Sequence, residues 1–180
     1  EYFFQKRVHR ISRVSAAKEE VQDLADAISK SKKPLIVVGG GVKYSEAGEA
    51  VEAFCKEFNI PFGETQAGKS ACHSSDPYCL GGIGVTGTLA ANRIAKEADT
   101  VLAIGSRLSD FTTGSKWLFR EEGVQVLTIN NNRYHAYKMD AIKAVGDAKA
   151  TLEELAKALR EKNYRSAYKG EIESCKAEWD

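Results

Sequence analysis

No charge excess marks this chain. Its 26 lysines and arginines stand against 25 aspartates and glutamates, for a net charge of +1. The basic residues are spread through acidic helices, not gathered on one face, which excludes a nucleic-acid footprint. Long hydrophobic runs are also missing. Apolar stretches are four to six residues long, far below the roughly 20 that cross a bilayer as a helix. No signal peptide is visible. Cys55, Cys72, Cys79 and Cys175 form no C-x-x-C pair and no repeating spacing, so they read as reduced thiols of a cytoplasmic protein. There is no G-x-S-x-G elbow to support a serine triad. There is no internal repeat or low-complexity segment either, and 180 residues suit one domain with a core of its own. The start at Glu1 without Met and the charged end EIESCKAEWD suggest a segment of a larger protein.

What is present is alternation. Val21, Leu24, Ala25 and Ile28 fall at helical spacing, predicting a helix over 16–31 that stops before Pro34. Residues 34–38 (PLIVV) read as a buried strand closed by a turn at Gly39, Gly40 and Gly41. Ser45 is the expected N-cap of a helix whose stripe is Ala47, Ala50, Val51, Phe54 and Phe58. Further strands are expected at 60–63, 80–83, 100–104, 124–129 and 141–145. A helix is expected at 88–98, and another capped by Asp147 with Leu152, Leu155, Ala156 and Leu159 on one face. Strand and helix alternating at this spacing predict an α/β fold, a Rossmann-like doubly wound parallel sheet of about six strands covered on both faces. Segments 35–38 and 101–104, apolar on both faces, are expected at its centre.

Several motifs suggest ligand chemistry. GETQAGKS (63–70) satisfies the P-loop pattern, but no sturdy helix follows and no strand ends in an Asp for magnesium. GIGVTG (82–87) satisfies G-x-G-x-x-G and opens a helix. Glycines there serve either a bound diphosphate or close packing of helix on sheet, and the ribose-binding acid expected after the next strand is missing. Arg107 and Asp110 flank a strand-end loop, as a weak ion pair or as a nucleotide contact. Cys72, His73 and Cys79 lack the spacing of a structural zinc site. His135 reads as a loop histidine. A ligand, if bound, is expected over the strand ends, between residues 82–88 and the Ser106-Arg107 loop, with Arg107 as its main charge.

The segments GGGV (39–42), ETQAGKSA (64–71), LGGIGVTGT (80–88), ADTVLAIGSRLSDFTTGS (98–115), VLTINNN (126–132) and AVGDA (144–148) occur in an order that resembles the middle domain of thiamine-diphosphate enzymes of the acetolactate-synthase type. ETQAGKSA and SRLSDFTTGS resemble most a branch of that family that hydrolyses a carbon–carbon bond of a cyclic dione in myo-inositol catabolism. The resemblance implies a three-domain polypeptide. Residues 1–15 would be a linker from a preceding domain, 16–162 the Rossmann-like central domain, and 163–180 a linker toward a following one. Thiamine diphosphate and Mg²⁺ would bind outside this chain, through a G-D-G…N-N motif. Here Gly146-Asp147 is followed by Ala148, and Asn130-Asn131 lies upstream, so that motif is absent. In some relatives this domain binds FAD, ADP or a coenzyme A moiety. Carried over, their contacts would be Gly39, Gly40, Gly41, Gly84, Gly87, Thr88, Ser106, Arg107, Asn130, Asn131 and Asp147. Asn130 to Asn132 supply hydrogen bonds but no charge where relatives have an acid. No catalytic residue and no metal ligand are expected in this chain. The full-length enzyme would be a homo-oligomer. The rival readings are a stand-alone module for FAD, ADP or NAD, and the central domain of an acetolactate synthase itself.

Overall fold

The computed structural model describes residues 2–119 and 123–178. Eight α-helices and six strands are found among them. Helix α1 (Lys18–Ile28) leads into strand β1 (Pro34–Val38), then α2 (Gly40–Tyr44), α3 (Gly48–Phe58), β2 (Phe62–Glu64) and β3 (Cys79–Gly82). Helix α4 (Leu89–Glu97), β4 (Thr100–Ile104), α5 (Asp110–Thr113) and β5 (Gln125–Asn130) follow. The chain continues through α6 (Arg133–Ala136), β6 (Ile142–Val145), α7 (Ala148–Glu161) and α8 (Glu171–Ala177).

The strands pair in the order β3-β2-β1-β4-β5-β6, all parallel. The chain thus winds outward from β1 in one direction, returns to β4, and winds outward in the other. The switch point lies between β1 and β4, the two central strands, as their sequences predicted.

Side chains alternate across a strand, and here each set finds a helical layer. Ile36, Val38, Leu102, Ile104, Leu127 and Ile129 pack with α1, α3 and α7. Leu35, Val37, Val101, Ala103 and Val126 pack with α4 and α8. All five residues of β1 and all five of β4 are buried. That explains why neither strand shows polar alternation in the sequence.

Four local expectations differ from the structure. The helix expected over 16–31 is shorter, because residues 14–16 run extended against the turn before α7, with the Asp147 amide donating to the Val14 carbonyl at 2.8 Å. Gly40 and Gly41 do not form a turn but begin α2 directly after the extended Gly39. Ser45 does not cap α3, which starts from Ala47 without a side-chain cap. Its hydroxyl instead donates to Asp147 at 2.7 Å and accepts the Lys149 amide at 2.9 Å, so it helps to cap α7. The second strand begins at Phe62 instead of residue 60. Beyond α7 the chain folds back: Tyr168, Ile172 and Cys175 are buried against the α4 layer.

Candidate functional site

Parallel strands end together, and their C-terminal loops form the edge at which open α/β sheets bind ligands. In this chain that edge has two halves of different character. Over β1, β4, β5 and β6 lies an open crevice of about 700 Å³, within the usual size range of small-molecule sites. Gly41, Tyr44, Gly105, Arg107, Asn130, Asn131, His135, Gly146 and Asp147 line it, together with residues 11–14.

The floor of the crevice is built by close backbone contact. The Gly41 amide donates to the Gly105 carbonyl at 3.0 Å, and the Gly105 amide to Ile129 at 2.8 Å. Gly105 has φ +61°, and a Cβ there would stand 2.5 Å from the Gly41 Cα. No side chain fits between these loops. Ser106 is buried beside them; its hydroxyl accepts the Leu108 amide and its carbonyl accepts the Asn130 side-chain amide. Asn130 also accepts the Asn132 amide. Asn130 and Ser106 therefore brace the two loops, whereas Arg107, Asn131, Asn132 and Tyr44 are exposed where they line the crevice.

Asp147 caps α7 by accepting the Ala150 amide at 3.1 Å. It also accepts from Ser45 and pairs with Arg13 at 3.3 Å. Burial opposes its ionisation, but the Ala150 amide, the Ser45 hydroxyl and Arg13 outweigh burial and hold its carboxyl below the usual range. His135, on α6, is held below the usual imidazole range by burial and by the charges of Lys138 and Arg107. Its Nδ1 is buried without a partner. Arg107 and Asp110 form no ion pair among the described residues.

Over β2 and β3 the edge is closed. Gly84, Gly87 and Thr88 do not line the crevice. The Gly84 amide donates to the Asn92 side chain at 3.0 Å, and Asn92 donates back to the Gly84 carbonyl at 2.9 Å. The Val85 amide goes to Phe111, Gly87 to Gly84 and Thr88 to Gly82. Thr88 caps α4 through the Ala91 amide and donates to Leu80. These amides are satisfied within the chain, so the expected ligand position between this turn and Arg107 is taken up by the protein's own bonds, and the open space lies on the other side of Arg107. Gly39 and Gly40 likewise serve packing, Gly39 against Gly105 and Gly40 against Ala67.

The GETQAGKS segment forms a single 3₁₀ turn, Gln66–Gly68, capped by Thr65. Lys69 is non-helical, and the next α-helix along the chain is α4, which begins only at Leu89. Glu64 at the end of β2 is only 2 % exposed. Burial pushes its carboxyl above the usual range, against the pull of Lys69 and of the Cys72 and Ser70 amides. Its Oε1 has no partner.

A magnesium diphosphate does not fit the residues of this chain. Asp147, the one acid in the crevice, already serves an amide, a hydroxyl and a guanidinium. Among the described residues no group of three or more His, Cys, Asp or Glu converges on a metal position. His73 bonds Glu52 at 2.9 Å and does not join the thiols. The four cysteines are free and buried. Burial raises all four thiols, Cys72 to about 12, which keeps them protonated and unreactive near neutral pH. Arg107 and Asn131 offer the crevice a charge and a side-chain amide.

Sequence reasoning did not find Arg13 or Ser45 as residues of this region. Arg13 stands in an unpatterned segment, and Ser45 precedes the wrong helix. Only the tertiary fold brings them to Asp147.

The comparisons with known proteins agree with this architecture. Over 99% of its length the chain is 56% identical to a 3D-(3,5/4)-trihydroxycyclohexane-1,2-dione hydrolase of Clostridium botulinum, and 57% identical to one of Clostridium perfringens. A protein of that name from Bacillus thuringiensis is 54% identical over the whole chain. The chain spans 28% of the length of each. A solved structure from Mycobacterium smegmatis, described as a candidate thiamin diphosphate-dependent enzyme, superposes with a TM-score of 0.68 at 22% identity. That match covers 85% of this chain and 30% of the other, and it speaks to the fold alone. Residues 21–155, from α1 into α7, match the family described as "Thiamine pyrophosphate enzyme, central domain", and the chain belongs to that family.

Proposed function

We propose that this chain is the non-catalytic central domain of a thiamine-diphosphate-dependent hydrolase that cleaves a carbon–carbon bond of a trihydroxycyclohexane-1,2-dione and opens its ring in myo-inositol catabolism. The observation that carries this reading is the identity of 53–57% along essentially the whole chain to proteins of that name. Thiamine diphosphate, bound in the longer polypeptide, would supply the carbanion chemistry of such a cleavage, and the protein would supply position and electrostatics. In this reading the cofactor and Mg²⁺ sit in flanking domains of the same polypeptide. The full-length enzyme is a cytoplasmic homo-oligomer, and residues 1–15 and 163–180 lead from and toward its other domains. No helix among the described residues is long and apolar enough to cross a membrane.

The domain's own residues bind, and do not react. Arg107 attracts an anionic ligand to the crevice, Asn131 offers hydrogen bonds to a ribose or base, and the Gly41–Gly105 contact keeps the floor rigid. In this reading the ligand carries the adenine diphosphate that FAD, ADP and NAD share, with Arg107 as the support for its charge.

Purified chain, supplied with thiamine diphosphate, Mg²⁺ and the cyclic dione, should show no turnover above a mock preparation, while the longer polypeptide should open the ring. Turnover by the chain alone would overturn the non-catalytic assignment. A full-length polypeptide that forms acetolactate and leaves the dione intact would overturn the substrate.

A further inference from the structure

One wall of the crevice does not belong to the sheet. Residues 11–14 line it, yet Ile11 and Val14 are 75% and 67% exposed. This segment is therefore held by backbone bonds and charge, not by apolar burial. The Asp147 amide donates to the Val14 carbonyl at 2.8 Å, and the Ala16 amide donates to Thr151 Oγ1 at 3.1 Å. Gly146 makes room for this passage: a Cβ there would stand 2.4 Å from the Ala16 nitrogen. One side chain ties the segment across the crevice mouth. Arg13 reaches Asp147 and Glu46, each at 3.3 Å.

We propose that residues 11–14 form a strap whose docking is coupled to occupancy of the crevice by a nucleoside diphosphate, with Arg13 as the coupling residue. The proposal rests on the nucleotide reading of the crevice and adds its regulation. Asp147 is fixed by the Ala150 amide and the Ser45 hydroxyl, so its negative charge cannot leave the wall. Arg13 neutralises that charge where an anionic ligand would meet it, and Arg107 is left as the net charge. A ligand that touches both the strap and the strand-end loops holds them together, and by linkage a docked strap strengthens the ligand's binding by the same factor. The state of the crevice is thereby passed to the chain upstream of the strap.

The test combines calorimetry with hydrogen exchange on the 180-residue chain, using ADP as the probe. ADP should slow amide exchange over residues 12–16 and at Asp147. Arg13→Ala should weaken ADP binding at least about fivefold, the lower end of typical coupling, and abolish that protection. Arg13→Lys, which keeps the charge, should restore most of both. Glu46→Gln should change neither, because the Glu46 side chain is 82% exposed. If ADP binds the parent and Arg13→Ala equally and strap exchange does not respond, the coupling is wrong and the nucleotide reading stands. If the parent binds no ADP, both are wrong.

Discussion

The two halves of the strand-end edge each carry one buried or half-buried acid, and the protein treats them in opposite ways. On the β5–β6 side, Asp147 is surrounded by an amide, a hydroxyl and a guanidinium, and its charge is favoured. On the β2 side, Glu64 has one orphaned oxygen, and burial disfavours its charge. The half with the favoured acid is open and lined by polar loops. The half with the disfavoured acid is closed and carries both glycine-rich motifs. The difference teaches how to read such motifs: a glycine-rich turn offers a ligand only the amides that are left over, and at 82–88 those of Gly84, Val85, Gly87 and Thr88 are bonded within the chain.

The harshest way to break the open half is to fill its floor. Gly105→Val adds a side chain at φ +61°, where a Cβ already falls 2.5 Å from the Gly41 Cα. Strain and overpacking together should cost more than about 4 kcal/mol. A chemical-denaturation midpoint close to the parent's would show that the Gly41–Gly105 contact is not needed.

The closed half is tested through Asn92. Its side chain makes both bonds to Gly84, so Asn92→Ala should cost about 2 kcal/mol. If the closed turn is purely structural, the loss should appear in the denaturation midpoint and not in nucleotide affinity. Weakened ADP binding with unchanged stability would move the ligand to this turn.

The pH dependence of stability should separate the two acids by sign. The Asp147 carboxyl is depressed in the folded state. Its contribution is complete above the unfolded carboxylate value of about 4, and is lost as pH falls through the lower folded value. Asp147→Asn should therefore cost about 1 kcal/mol near neutral pH, typical for a weakened cap, and progressively less in acid. The Glu64 carboxyl is raised, so the folded state holds its proton longer. Stability falls as pH rises from about 4 through the raised folded value. Glu64→Gln should remove that fall and leave the chain at least as stable as the parent at neutral pH. Melting curves across pH that slope the same way for both variants would contradict the assignment.

Much of the fold was legible because its signals are local. Buried strands such as Thr100–Ile104 are continuous apolar runs, and Thr88 and Asp147 announce helix starts that the structure confirms with bonds to Ala91 and Ala150. The candidate site was less legible because its parts meet only through the fold. Arg13 and Asp147 are 134 residues apart in sequence, and nothing in the spacing of either points to the other. Ser45 looked like a local cap, but Asp147 and the Lys149 amide compete for its hydroxyl and win. The glycine pattern at 82–87 was read correctly as opening a helix. Its second meaning depended on the bonds to Asn92 and Phe111, which no pattern encodes.

The central claim, that the open half of the edge is the ligand site and the P-loop lookalike is not, rests on two cations. Calorimetric titration of ADP into the parent, Arg107→Ala and Lys69→Ala tests it directly. The account predicts micromolar binding at best, about −8 kcal/mol, because no acid stands among Asn130 to Asn132 to hold the ribose. It predicts a clear loss in Arg107→Ala and none in Lys69→Ala. Binding that survives Arg107→Ala and disappears in Lys69→Ala would place the ligand on the closed half and contradict the account.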